Sequence, residues 1–270
     1  MSIDFEIVPI AAFSDNYIWL LRRGRHAVVV DPGDAAPVLA YLEQQQLELA
    51  AILVTHHHGD HIGGIEAILA QALAHSRIPA HIPVYGPAGE AIDEVDRRIK
   101  DGDRVELPEL NTSFEVIAVP GHTRGHLAYY GRNPSGCGVL FCGDTLFGCG
   151  CGRIFEGTPQ QMWRSLTRIT ALPPDTRIYC AHEYTQANIR FALAVEPDNT
   201  ALLARAEEVA RLRAADKPTV PSTLATELAT NPFLRWDAPA VIDAARRAGG
   251  GQAEQPAAVF AAIREWKNKF

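Results

Sequence analysis

A chain of 270 residues that is 47% hydrophobic, 21% charged and 8% aromatic has the composition of a folded globular protein, which excludes a disordered, collagenous or low-complexity chain. Its 25 lysines and arginines against 32 aspartates and glutamates leave a formal charge of −7, without a block of like charge, so a polyanionic nucleic acid would meet a repulsive field. Apolar runs such as Ala27–Val30 and Val139–Cys142 are far short of the roughly 20 residues of a membrane-spanning helix, so neither nucleic acid nor membrane is expected as a partner.

The opening Met1-Ser2-Ile3-Asp4-Phe5-Glu6 is acidic where an export signal is basic and then continuously apolar. The cysteines, Cys137, Cys142, Cys149, Cys151 and Cys180, form no C-x-x-C pair, and a cytoplasmic protein with free thiols is expected. Strands are predicted over Phe5–Ile10, Tyr17–Leu21 and Ala27–Val30, separated by the turn chemistry of Ser14-Asp15-Asn16, Arg23-Gly24 and Asp31-Pro32-Gly33. Helical composition over Ala35–Gln46, a buried strand at Ala51–Thr55 and apolar residues at helical spacing in Gly63–Ala74 follow. Shorter strands are predicted at Ile82–Tyr85, Phe114–Val119, Leu127–Tyr130, Val139–Cys142 and Arg177–Ala181, with a helix at Pro159–Ile169. Beyond Glu183 only helices are expected: Ala187–Val195, Asn199–Ala215, Pro239–Ala248 and Pro256–Lys269, with a Gly249-Gly250-Gly251 loop. Mixed strands with helices outside them suggest stacked layers, and the change in character places a domain boundary near residues 182–185.

Chemistry concentrates at strand ends. Directly after Ala51–Thr55 come His56-His57-His58-Gly59-Asp60-His61. On a helix His56 and His58 would point about 200° apart, whereas extended residues i and i+2 share a face, so these two can converge on one metal with His57 facing away. Asp60 and His61 are expected in the turn before a helix beginning near Gly63. A histidine run can also be a surface tract or a helix start, but one that follows a buried strand and interleaves an aspartate suits zinc, iron or manganese. Three more polar residues sit just past apolar strands: His122 in Pro120-Gly121-His122-Thr123, Asp144 in Cys142-Gly143-Asp144-Thr145, and His182 in Cys180-Ala181-His182-Glu183. Each alone would pass as a turn or cap residue. At neighbouring strand ends they would make one site, because functional groups collect where loops leave a rigid sheet.

His56-x-His58-x-Asp60-His61, Gly121-His122-Thr123, Gly143-Asp144-Thr145 and His182 are together similar to the ligand pattern of the metallo-β-lactamase fold superfamily. Within it the chain resembles the glyoxalase II (hydroxyacylglutathione hydrolase) family over almost its whole length. That resemblance is carried by Ser14-Asp15-Asn16-Tyr17-Ile18-Trp19, by Gly150-Cys151-Gly152-Arg153-Ile154-Phe155-Glu156-Gly157-Thr158, by His182-Glu183-Tyr184-Thr185, by Asn231-Pro232-Phe233 and by Arg264-x-x-Lys267. The metal pattern identifies the superfamily, and the later marks pick out the family.

The resemblance implies an α/β (α+β) fold: a four-layer αββα metallo-β-lactamase sandwich as catalytic domain, residues 1–183, and an all-helical substrate-binding domain, residues 184–270. It implies two divalent metal ions, zinc foremost with iron or manganese as alternatives, one held by His56, His58 and His122, the other by Asp60, His61 and His182, with Asp144 bridging. It also implies hydrolysis of S-D-lactoylglutathione and related 2-hydroxyacylglutathione thioesters to D-lactate and glutathione, the second step of methylglyoxal detoxification. The nucleophile would be a metal-bridging hydroxide, with Asp60 and Asp144 as the catalytic carboxylates. Bound metals lower the pKa of water from 15.7 toward ~7, and a thiolate leaving group, with a conjugate acid near ~8.5, needs no general acid.

Glutathione carries two carboxylates and one ammonium, and Arg153, Tyr184, Arg264 and Lys267 match the family's positions that contact it. The family often has Lys and Tyr where this chain has Arg153 and Phe155, so one hydroxyl contact is lost. His57 and His126 read as structural, and His26, His75 and His81 as ordinary surface or loop residues. A monomer is expected. Rival readings on the same fold are a lactonase, a β-lactamase or an iron-dependent persulfide dioxygenase. The dioxygenase would have a mononuclear site without Asp60 or His182 as ligands, and the presence of both, with the Arg264-x-x-Lys267 tail, argues against it. A nuclease would need a basic face, and a non-catalytic relative would have lost ligands, whereas here none is lost.

Overall fold

Turn chemistry and short apolar runs build the first sheet. In the computed structural model, which describes residues 5–74, 81–133, 135–251 and 255–270 and so leaves His75 outside the described residues, β1 (Glu6–Ala12), β2 (Asn16–Arg23) and β3 (His26–Val30) form an antiparallel meander. Helix α1 (Ala35–Gln44) is capped by Asp34, whose carboxylate accepts from the Ala36 amide. It carries the chain across to β4 (Glu48–Leu53), parallel to β3, as a parallel pair requires. The single-turn α2 (Gly59–Ile62) and α3 (Ile65–Ala74) lead to β5 (Val84–Pro87) and β6 (Arg97–Ile99), both added in parallel. Leu20, Val29 and Ile52 from the strands pack with Val38 and Leu42 of α1 and Ile65 and Ile68 of α3 in one apolar core.

A second, antiparallel sheet follows from β7 (Arg104–Leu107), β8 (Thr112–Ala118), β9 (Leu127–Arg132) and β10 (Gly138–Gly143). Fully buried Tyr129 of β9 donates its hydroxyl to the Val54 carbonyl at 2.6 Å, just past the end of β4, and so ties the second sheet to the first. Burial, helped by the Asp31 charge, pushes its phenol well above the ordinary range, so it remains a donor. These elements form one compact unit, Met1–Ala118 with Gly125–Gly143.

The other unit comprises Val119–Arg124 and Asp144–Phe270. It contains the hairpin β11 (Leu146–Phe147) and β12 (Gly150–Cys151), then α4 (Pro159–Thr170), which opens on a capping box of Thr158 and Gln161 with Pro159 in its first turn. After β13 (Arg177–Cys180) come α5 (Thr185–Val195) and α6 (Thr200–Ala214). The chain then forms β14 (Ser222–Thr223), α7 (Leu224–Thr230), α8 (Pro239–Ala245) and α9 (Pro256–Lys269).

The elements expected from sequence recur within a few residues at their ends; the hairpin β11–β12 was not expected, and four further corrections apply. Arg97–Ile99 and Arg104–Leu107 are strands that were not expected, because their charged residues occupy exposed faces and leave no apolar run. Asp60 and His61 lie inside α2 rather than in a turn before the next helix. Strand structure does return after Glu183: Ser222–Thr223 pairs antiparallel with Arg177–Ile178, and Thr223 caps the unexpected helix α7. Finally, the helix expected over Pro239–Ala248 ends at Ala245 in a wider turn, Arg246–Gly250. Two strand residues and seven helical ones are too few to display a period. No helix among the described residues is long and apolar enough to cross a membrane.

Tyr129→Phe should leave the buried Val54 carbonyl without its hydroxyl donor and lower stability by about 1–3 kcal/mol. Denaturant unfolding checks this, and an unchanged midpoint would show that the bond does not join the sheets.

Candidate metal centre

One cluster of histidines and carboxylates lies in the unit that holds β1 to β10. Just beyond β4 stands Thr55, which is completely buried and held by Asp31: the Thr55 amide donates to Oδ1 at 2.7 Å and the hydroxyl to Oδ2 at 2.7 Å. Because the single hydroxyl proton is spent on Asp31, the 3.0 Å contact between Thr55 Oγ1 and His56 Nδ1 is made by an imidazole N–H. The other nitrogen, His56 Nε2, therefore keeps its lone pair and faces His58 Nδ1 at 3.1 Å. His56 and His58 thus converge, as two extended residues of one face should. His57 instead meets Glu90 at 2.9 Å.

His61 follows in α2, its ring centroid 4.0 Å from that of His56. Its Nδ1 lies 3.1 Å from Asp31 Oδ2 and its Nε2 3.5 Å from Asp60 Oδ2, and Asn16 donates to that same Asp60 oxygen at 3.0 Å. His126 stacks on His56 with centroids 4.6 Å apart, its Nδ1 on the Leu127 carbonyl at 3.0 Å. Gly143, at φ 47°, packs so tightly that a Cβ there would collide with Thr55 Oγ1 and the His126 ring.

Asp31 was read from sequence only as part of a turn, yet one carboxylate orients Thr55 and thereby His56, and also faces His61. Its backbone is left-handed, φ 54°, a conformation Asp tolerates better than most residues. The available signal was its place just past a buried strand, the location shared by His56, Asp144 and His182.

A second cluster lies in the other unit. His122 Nε2 stands 3.3 Å from Asp144 Oδ2, and His182 Nε2 stands 3.3 Å from Asp144 Oδ1. One carboxylate therefore offers a different oxygen to each histidine, the disposition of a bridging ligand. His122 Nδ1 meets the Arg153 carbonyl at 2.7 Å; a carbonyl only accepts, so this nitrogen carries the proton and Nε2 is the donor atom left for a metal. Imidazoles beside carboxylates in a buried setting, with the proton placed by a hydrogen bond at His56 and His122, are the donor chemistry of zinc, iron or manganese.

The same unit carries the side chains expected to meet substrate. Tyr184 lies flat on the His182 ring, centroids 4.6 Å apart at 4°, with Phe147 edge-on at 5.3 Å. The Arg153 guanidinium is 6.0 Å from the Phe155 ring centre, and Phe155 is 60% exposed. Arg264 does not occupy a solvated helix face: it is only 6% exposed, donates Nη1 to the Cys151 carbonyl at 3.0 Å and lies over Phe233. Half-buried Lys267 rests over the rings of Phe191 and Phe270 at 5.0 and 5.7 Å. Burial, then Arg264 and Arg190, push its ammonium down to about 8.

Comparison with known proteins gives concordant matches. Residues 12–182 match the metallo-beta-lactamase superfamily and residues 183–270 the hydroxyacylglutathione hydrolase C-terminus. A protein of Nitrosomonas eutropha named hydroxyacylglutathione hydrolase is 51% identical, the match covering 98% of this chain and 99% of that one. Among solved structures, ETHE1 from Myxococcus xanthus is 23% identical with a TM-score of 0.65, covering 97% of this chain and 89% of that one. At that identity the likeness speaks for the fold alone. TTHA1623 in a di-iron-bound form is 27% identical with a TM-score of 0.56, covering 85% of this chain and 100% of that one. The chain has the α/β sandwich of the metallo-beta-lactamase fold, followed by a helical C-terminal region.

Asp31→Asn keeps a residue suited to the left-handed backbone but removes the charge facing Thr55 and His61. Metal affinity, measured by competition with a chelator, should fall about 10- to 100-fold; an unchanged affinity would mean that Asp31 serves the fold alone.

Proposed function

The chain belongs to the hydroxyacylglutathione hydrolase family, and we propose that it hydrolyses S-D-lactoylglutathione and related 2-hydroxyacylglutathione thioesters to the 2-hydroxy acid and glutathione. The observation that carries this reading is the presence, in one acidic chain, of a complete His and Asp ligand set together with the cations Arg153, Arg264 and Lys267 in the helical region and its approach. A lactonase or β-lactamase needs the first but has no use for the second. The division into a catalytic part, 1–183, and a substrate-binding part, 184–270, is supported by family matches that meet between residues 182 and 183.

The His and Asp clusters fit a binuclear divalent metal site. We assign one ion to His56, His58 and His122, the other to Asp60, His61 and His182, and the bridge to Asp144. Zinc is the proposed metal, with iron and manganese acceptable to the same donors; the di-iron-bound form of TTHA1623, 27% identical, supports a paired site. Bound there, the ions would supply a Lewis acid for the thioester carbonyl and a water acidified toward ~7.

The protein's own groups do the rest. Asp31, Thr55 and the Arg153 carbonyl hold protons on the outer imidazole nitrogens, so the inner ones act as bases toward metal. Lys267, Arg153 and Arg264 offer positive charge to the glutathione carboxylates, and Tyr184 offers a flat ring and a hydroxyl beside His182. No residue has to protonate the departing sulfur, because a thiolate is stable near neutral pH. A monomer in the cytoplasm is the proposed setting.

A steady-state assay on S-lactoylglutathione beside a lactone tests the reading: turnover of the thioester with little on the lactone supports it, and the reverse defeats it. Asp60→Ala should collapse kcat while the fold survives, and unchanged turnover would show that one metal suffices. Lys267→Met should raise KM about ten-fold with little change in kcat, the loss of one charge-assisted contact. Lys267 holds a carboxylate only while protonated, and its pKa is pushed down to about 8. KM should therefore rise as pH climbs through about 8, and that rise should be absent in Lys267→Met; an alkaline KM limb that persists would assign it to another group.

A further inference from the structure

Asn231-Pro232-Phe233 takes no part in the chemistry above, yet Asn231 is wholly buried and uses every hydrogen-bonding atom of its side chain. Its amide Nδ2 donates to the Gly150 carbonyl at 2.9 Å, to Glu227 Oε2 at 3.0 Å and to the Phe147 carbonyl at 3.2 Å, while Oδ1 accepts the Phe233 amide at 3.0 Å. The same Glu227 oxygen accepts the amide of Cys149 at 2.8 Å. Asn188 of α5 donates to the Gly148 carbonyl at 3.1 Å, and Arg264 of α9 to the Cys151 carbonyl at 3.0 Å. Every residue from Phe147 to Cys151 is thus gripped through its backbone by a buried side chain of the helical region. Cys149 is held at φ 53°, a left-handed backbone unusual for a cysteine.

The gripped segment is the β11–β12 hairpin. Two residues after it stands Arg153, whose side chain is a proposed glutathione contact and whose carbonyl orients His122. Arg153 lies in coil, without a strand or helix of its own to place it. Phe233, two residues after Asn231 in the same motif, lies under the Arg264 guanidinium at 5.1 Å.

We infer that Asn231, braced by Glu227, is a positioning residue for glutathione recognition: it moulds the Phe147–Cys151 hairpin so that Arg153 and Arg264 are presented to the substrate in fixed register. Glu227 serves as the acceptor that aims the Asn231 amide, and its complete burial raises its carboxyl pKa against the pull of the donors around it. The inference rests on the activity proposed above and concerns binding rather than bond breaking.

Its test compares two substrates. For Asn231→Ala, kcat/KM for S-lactoylglutathione should fall about ten-fold further than kcat/KM for the lactoyl thioester of N-acetylcysteamine, which lacks the glutamyl and glycyl carboxylates and so reports only what reaches His122 through the Arg153 carbonyl. Glu227→Ala should reproduce this split, and Glu227→Gln should recover most of the loss, because the glutamine oxygen has two lone pairs for the same two donors. An equal loss on both substrates would make Asn231 a stabiliser of the fold only, and no loss on either would remove it from recognition; each overturns the inference. If Asn231→Ala does not fold, Asn188→Ala, which releases only the Gly148 carbonyl, should show the same split at smaller amplitude. If the unaltered enzyme fails to hydrolyse S-lactoylglutathione, the activity reading falls, and calorimetric binding of glutathione itself carries the test. A ten-fold weaker Kd in Asn231→Ala would uphold the inference, and an equal Kd or no binding by either protein would overturn it.

Discussion

Imidazoles and carboxylates packed out of water must have their protons assigned and their charges balanced, and much of this structure answers that constraint. Burying charge without a partner costs several kcal/mol even after relaxation, yet His56 and His61 are wholly buried and His122 and His182 nearly so. The solution is to pin a proton on the outer nitrogen of an imidazole. Thr55, with its own proton committed to Asp31, receives one from His56, and the Arg153 carbonyl receives one from His122. What remains facing inward is a set of lone pairs and carboxylate oxygens, with Asp144 divided between His122 and His182. Such a set is satisfied by divalent cations, which accounts for groups of this kind persisting in a core.

The local architecture follows from the same need. The passage beyond β4 brings His56 and His58 within 3.1 Å of one another, and an immediate turn of helix then returns Asp60 and His61. Close backbone approach at Gly143 gives the His126 and Thr55 side chains room just before Asp144. In the other unit, the helices after His182 hold the short hairpin that leads to Arg153, so the groups that would recognise glutathione and half of the ligand set share one set of supports.

The clustering of the histidines and aspartates was legible in sequence because its information is local. His56 to His61 lie within one loop, where two-residue spacing has a direct geometric meaning, and His122, Asp144 and His182 each follow an apolar run. Strands and helices with strong periods were legible for the same reason. Asp31 was not, because its partners Thr55 and His61 are distant in sequence and its own Pro-Gly neighbours read as a turn. The β14–α7 passage and the charged strands β6 and β7 left too little apolar pattern to announce themselves. Arg264 was legible only through resemblance: i,i+3 cations on a last helix look solvated until Phe233 and the Cys151 carbonyl are found against the guanidinium.

The central claim is that the His and Asp set works as a paired metal site that hydrolyses a glutathione thioester. Its most direct test is stepwise metal reconstitution of the metal-free protein, with bound metal and S-lactoylglutathione turnover measured on the same samples. The account predicts that turnover rises to a plateau only as the second equivalent of zinc, iron or manganese binds. Full turnover at one equivalent, or in the metal-free protein, would contradict it.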